Sequence, residues 1–117
     1  VRVPVPFGHG ETVYFEVADA DGASTPKIQQ ALSEAPGVVL EDDPANQIYP
    51  QPINAEGKRD TFVGRVRPDL ENDGSYHMWV VSDNLLKGAA WNAVQIAERL
   101  VALDLVRVPE GSAEKFA

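Results

Sequence analysis

The sequence predicts an α+β domain, with a mixed or antiparallel sheet and helices on one face. Three observations predict it. Strand-like segments follow one another without an intervening long helix at 38–40, 61–67 and 76–81. Two segments, 25–35 and 86–105, carry apolar residues at helical spacing. At 117 residues the chain is one domain's worth and long enough to bury a single core. The expected order is β-β-α-β-β-β-α.

The elements follow in turn. Val1, Val3 and Val5 alternate and read as a strand, with Pro4 and Pro6 barring a regular central one. Gly8-His9-Gly10 is a flexible break. Thr12 to Val17 is β-branched and aromatic, hence a strand, and Asp19 to Gly22 is a turn. Thr25-Pro26 signals a helix start, and Ile28, Ala31, Leu32 and Ala35 share one face until Pro36-Gly37 ends the helix. Val38 to Leu40 is a short strand. Residues 42–60, with Pro44, Pro50 and Pro52, form a long irregular loop of the kind that is functional or interfacial inside a domain. Thr61 to Arg67 is a strand with Arg65 and Arg67 on one face, and Tyr76 to Val81 is another. Asn72-Asp73-Gly74 between them is a hairpin signal. The longest helix runs from Leu86 to about Leu105 with a broad apolar face, and residues 109–117 are a polar tail. Residues 1–108 are expected to form the domain.

Composition excludes several classes. A net charge of −8 with no basic stripe argues against nucleic acid. No apolar run approaches the roughly 20 residues of a membrane-spanning helix. With no cysteine, the chain has no disulfide, thiolate zinc site or cysteine nucleophile of its own. His9 and His77 are too few and too far apart to suggest a metal cluster. The acidic residues form no pair at a recognisable glycosidase spacing.

A few residues are suited to chemistry. His9, between two glycines and seven residues after Arg2, is either a plain loop histidine or a general acid-base group. Arg2 is either a strand-edge charge or a two-pronged clamp for a carboxylate. In Ser82-Asp83-Asn84, Asp83 or Asn84 caps the following helix, or the Asn84 amide holds a flat heterocyclic amide through one donor and one acceptor. Arg65 and Arg67 read as an exposed ladder paired with acidic neighbours, and His77 as structural.

Three blocks resemble a known family: Val-Arg-Val-Pro-Val with Gly-His at 1–9, Phe-Val-Gly-Arg-Val-Arg at 62–67, and Trp79 to Glu98. Together they are similar to the C-terminal part of bacterial aspartate-semialdehyde dehydrogenase, and the last block is the specific one. The resemblance implies a domain like the catalytic and dimerisation domain of glyceraldehyde-3-phosphate dehydrogenase, whose sheet forms the dimer contact. It implies a cytoplasmic, NADP-dependent enzyme, a homodimer or homotetramer. Such an enzyme converts aspartyl phosphate to aspartate semialdehyde and phosphate on the route to lysine, methionine and threonine. A cysteine carries the covalent thioester.

On this pattern His9 is the acid-base catalyst, Arg2 the substrate carboxylate clamp and Asn84 a cofactor contact. The chain departs from the pattern at Gly10, where the family usually has serine. It also lacks the cysteine, the glycine-rich phosphate loop and the upstream substrate-binding residues. It is therefore expected to be a portion of a longer enzyme, inactive alone. The alternatives are a stand-alone dimerisation or binding module, or a related acyl-phosphate reductase with another substrate.

Overall fold

Prolines decide how the chain enters its sheet. Pro4 and Pro6 offer no backbone N–H, and residues 4 and 5 form no strand; residues 1–3 and 108–117 lie outside the residues, 4–107, that the computed structural model describes. The strand expected over 1–5 is thus absent at its described end, and the predicted 109–117 tail falls outside. The sheet opens instead with β1 (His9–Glu16), followed by α1 (Thr25–Glu34) and β2 (Val38–Leu40). A 3-10 turn (Pro44–Asn46) and the short α2 (Pro52–Ala55) interrupt the long loop. Then come β3 (Thr61–Pro68), β4 (Ser75–Ser82), a π turn (Leu86–Ala90) and α3 (Trp91–Ala102).

The four strands form one mixed sheet in the order β1-β4-β3-β2. β4 pairs antiparallel with both β1 and β3, whereas β2 pairs parallel with β3. The antiparallel pair β3–β4 closes through the predicted hairpin, where Gly74 takes φ +78°. The parallel pair needs a crossover, and the 41–60 segment supplies it. β1 begins at His9 rather than Thr12 because Gly10 and Glu11 already pair with Val81 and Val80.

Alternation then sorts the side chains. Gly10, Thr12 and Tyr14 share a face with Val81, Trp79 and His77, and Phe62 and Gly64 join them from β3. On that face Phe62 and Val81 pack with Ala55 of α2, and Trp79 lies against them. The loop over residues 42–60 is therefore the lid of the small core. Val63, Val66 and Tyr76 are also buried. α1 lies against β2 and β3 with a half-buried stripe of Ile28, Leu32 and Ala35.

The expected arginine ladder on β3 does not form. The register shifts between Gly64 and Arg67, and Arg65 takes φ +55°. This β-bulge strips the Arg65 and Val66 N–H groups of ladder partners, and the Asp42 carboxylate accepts both, at 2.7 and 3.0 Å. Arg67 donates to the Arg65 carbonyl instead of pairing with an acidic neighbour.

The last helix also differs from the prediction. Its first turn is a π turn, bonded from Gly88 N–H to the Asp83 carbonyl and from Ala90 N–H to the Leu85 carbonyl. It ends at Ala102, and Asp104 beyond it is left-handed at φ +55°. No residue of α3 is buried, and Val94, Ile96, Leu100 and Val101 face outward. α3 packs chiefly on the π turn before it.

Candidate functional site

Backbone register brings two of the predicted residues to one end of the sheet. His9 is the first residue of β1 and lies opposite Ser82, the last of β4. The residues before His9 and after Ser82 therefore meet. Gly8 is buried at φ +87°, and a Cβ there would come within 2.9 Å of Pro52 Cβ, so only glycine fits both the conformation and the space. Its N–H donates to the Asn84 side-chain oxygen at 2.8 Å. His9 itself is exposed, at the start of the edge strand β1, whose backbone pairs with β4.

Asp83 anchors the same corner. It is 4% exposed, and its carboxylate accepts three backbone N–H groups: Gly57 at 2.8 Å, Leu85 at 2.8 Å and Leu86 at 2.9 Å. The N–H groups of Leu86, Gly57 and Leu85 stabilise the charged form and hold its pKa below the ordinary 3.8, against the opposing effect of burial. Asp83 is thus the helix cap that the sequence allowed, and Asn84 is free of that duty. The Gly57 bond has no local sequence signal, since the partners are 26 residues apart.

The lid is fixed to the same face. Trp79 Nε1 donates to the Pro50 carbonyl at 2.9 Å, and a Cβ on Gly10 would collide with the indole ring. Arg59 lies over the Trp91 ring at 4.0 Å and Lys58 over Phe62 at 5.0 Å. Lys87 donates to Gln95 at 2.6 Å. Gly88 meets only ordinary contacts, from the Asp83 carbonyl at 3.6 Å and Asn84 Cβ at 3.9 Å.

His77 lies at the opposite end of β4. Its Nε2 is 2.7 Å from Asp69, and its ring meets Tyr14 edge-on at 5.3 Å. Asp69 also accepts the Glu71 and Asn72 N–H groups of the turn. The Glu71 N–H, then the His77 ring, then the Asn72 N–H lower its pKa to about 2. His77 is therefore a turn-pinning residue, a specific form of the structural role expected for it. Arg2 lies outside the described residues.

Residues 1–87 match the family model described as semialdehyde dehydrogenase, dimerisation domain. The chain is 58% identical over 106 residues to the aspartate-semialdehyde dehydrogenase of Bacillus subtilis (strain 168), covering 91% of this chain and 30% of that protein. For the Aquifex aeolicus (strain VF5) enzyme of the same name the identity is 47% over 106 residues, with 91% and 31% covered. The crystal structure of aspartate semialdehyde dehydrogenase II complexed with ASA from Vibrio cholerae superposes with a TM-score of 0.76 at 39% identity, over 86% of this chain and 29% of that one. The chain thus spans about 30% of the length of the curated relatives it matches. Sequence and fold point the same way, and the chain belongs to the semialdehyde dehydrogenase dimerisation-domain family.

Proposed function

We propose that this chain supplies the acid-base and carboxylate-binding part of an NADP-dependent aspartate-semialdehyde dehydrogenase. The reaction is the reductive dephosphorylation of aspartyl phosphate to aspartate semialdehyde, in the biosynthesis of lysine, methionine and threonine. The observation that carries this reading is the Gly8–Asn84 hydrogen bond, because it gathers His9 and Asn84 at one end of the sheet in a chain of this family. In this reading residues 1–108 form the domain, the sheet makes the contact of a cytoplasmic homodimer or homotetramer, and 109–117 are a tail.

The roles follow from the side chains. With no cysteine here, the nucleophilic thiol comes from outside these 117 residues. His9 accepts the thiol proton and later returns one, as an imidazole does near neutral pH. Its exposure leaves it open to a reacting group. Arg2 binds the substrate carboxylate with two parallel N–H donors. Asn84 fits a cofactor amide: Oδ1 is engaged by Gly8, and Nδ2 has no partner among the described residues, leaving a donor for a carboxamide oxygen. The reduced dinucleotide, NADPH, would supply the hydride when bound and leave as NADP, so placement is what the protein adds.

The test uses the full-length protein that carries this chain. His9→Ala is expected to lower kcat by about 10²–10⁴-fold, the usual share of a positioned acid-base group. Arg2→Ala is expected to act mainly through substrate KM. Normal kcat and KM in both variants would overturn the assignment.

A further inference from the structure

We infer that Asn84 is a positioning residue for His9: its side-chain oxygen fixes the Gly8–His9 turn and so sets where the imidazole stands. The inference rests on the acid-base role proposed for His9. Its ground is what else holds that turn. Pro4 and Pro6 have no N–H, and residues 4–8 belong to no strand. Among the described residues, the Gly8 N–H to Asn84 Oδ1 bond, at 2.8 Å, is the only hydrogen bond tying segment 4–8 to the rest of the chain. The ladder begins one residue later, at His9 opposite Ser82.

The acceptor is itself held. Asn84 follows Asp83, whose carboxylate binds the N–H groups of Leu85 and Leu86 on one side and Gly57 on the other. The backbone carrying Asn84 is thereby pinned to the helix start and to the lid together. Gly8 is buried, left-handed and packed on Pro52, so its N–H finds no other acceptor while the turn stays in place. Removing the Asn84 oxygen leaves a buried N–H without a partner, and the cheapest relief is to swing the turn into water, carrying His9 with it.

Asparagine can act here through either end of its amide, and the two ends separate experimentally. Positioning needs the oxygen; a cofactor contact needs the Nδ2 donor. Asn84→Asp keeps an oxygen acceptor and loses the donor, whereas Asn84→Ala loses both. The experiment compares both variants and His9→Ala in the full-length protein. It reads kcat, KM for the dinucleotide, and hydrogen exchange of the Gly8 amide, which does not depend on turnover.

Asn84→Ala is expected to speed Gly8 exchange and lower kcat about tenfold, the equivalent of one hydrogen bond. Asn84→Asp is expected to restore Gly8 protection and, at saturating dinucleotide, to bring kcat above that of Asn84→Ala, while the lost Nδ2 donor raises the dinucleotide KM. Unchanged Gly8 exchange in Asn84→Ala, or faster exchange with normal kcat, would overturn the inference. So would an Asn84→Asp variant as impaired as Asn84→Ala with the loss in dinucleotide KM, which assigns Asn84 to the cofactor alone. If Asn84→Ala fails to fold, the Asn84→Asp result decides by the same criteria. A fully active His9→Ala would remove the reading of His9 itself, while an inactive His9→Ala beside a normal Asn84→Ala would remove only the role given to Asn84.

Discussion

Gly10 and Trp79 offer a quantitative check on the sheet register. Gly10 lies opposite Val81, so Trp79 is its diagonal neighbour on the same face, within reach of a large ring. The collision of a Cβ at position 10 with the indole is purely steric, because Gly10 is absent from the glycines at positive φ. Gly10→Ala must therefore push the ring or β1 aside, an overpacking cost of about 1–3 kcal/mol. The upper end applies if the ring moves far enough to break the Nε1 bond to the Pro50 carbonyl, whose residue is fully buried. Trp79→Leu is destabilising on its own, by about 3 kcal/mol for lost burial and the lost bond. In that background the space beside position 10 is open, and Gly10→Ala costs close to nothing. The coupling is thus expected to be about 1–3 kcal/mol, or roughly 5–150-fold in protection factor. Hydrogen exchange of peptides covering β1 and β4 in the four proteins of the cycle measures it. Additivity within about 0.5 kcal/mol would refute the register argument.

Two further outcomes follow from burial and charge. Val81→Ala empties a fully buried site between Phe62 and Ala55 and is expected to cost about 2–3 kcal/mol, read as an earlier unfolding midpoint in urea. Asp69 has its pKa lowered to about 2 from 3.8, first by the Glu71 N–H, then by the His77 ring and the Asn72 N–H. A depressed carboxylate stabilises the folded state above its unfolded pKa and loses that effect as pH falls through the folded one. The hairpin is therefore expected to hold full protection above 3.8 and to lose it as pH approaches 2. Amide NMR of residues 69–77 follows the change, and Asp69→Asn should abolish its pH dependence.

The parts of the fold visible in the sequence were those written in local periodicity. Thr25-Pro26, the Asn72-Asp73-Gly74 turn and the β-branched runs at 38–40, 61–67 and 76–81 all fall where elements form. The misreadings have non-local causes. Arg65 leaves the strand pattern because Asp42, 23 residues earlier, holds its N–H. The lid's short helix has only four residues and owes its place to Ala55 packing on Phe62 and Val81. His9 and Asn84 could each be singled out by residue type, yet nothing in their spacing shows that they come to the same end of the sheet. That requires β1 to pair with β4 across the whole of α1, β2 and β3, which is a property of the sheet.

The dependence runs further, because a one-residue slip between β1 and β4 would turn every side chain to the other face. The pairing has no tight turn to fix it, since other elements separate the two strands in sequence. Side chains must do so. At one end the Tyr14 ring meets His77, and Tyr14 Oη donates to Ser75 at 2.9 Å. Further along, the missing Cβ of Gly10 admits Trp79. Slipping by one residue would put Glu11 or His9 where the indole now lies and would carry Gly8 away from Asn84. β4 spans about 23 Å between these ends at the usual rise of a strand. The hairpin around Asp69 and the corner around His9 are thus two ends of one register. Asp83 and Asn84 act only after that register is set: one holds the backbone leaving β4, and the other reaches back to the strand beside it.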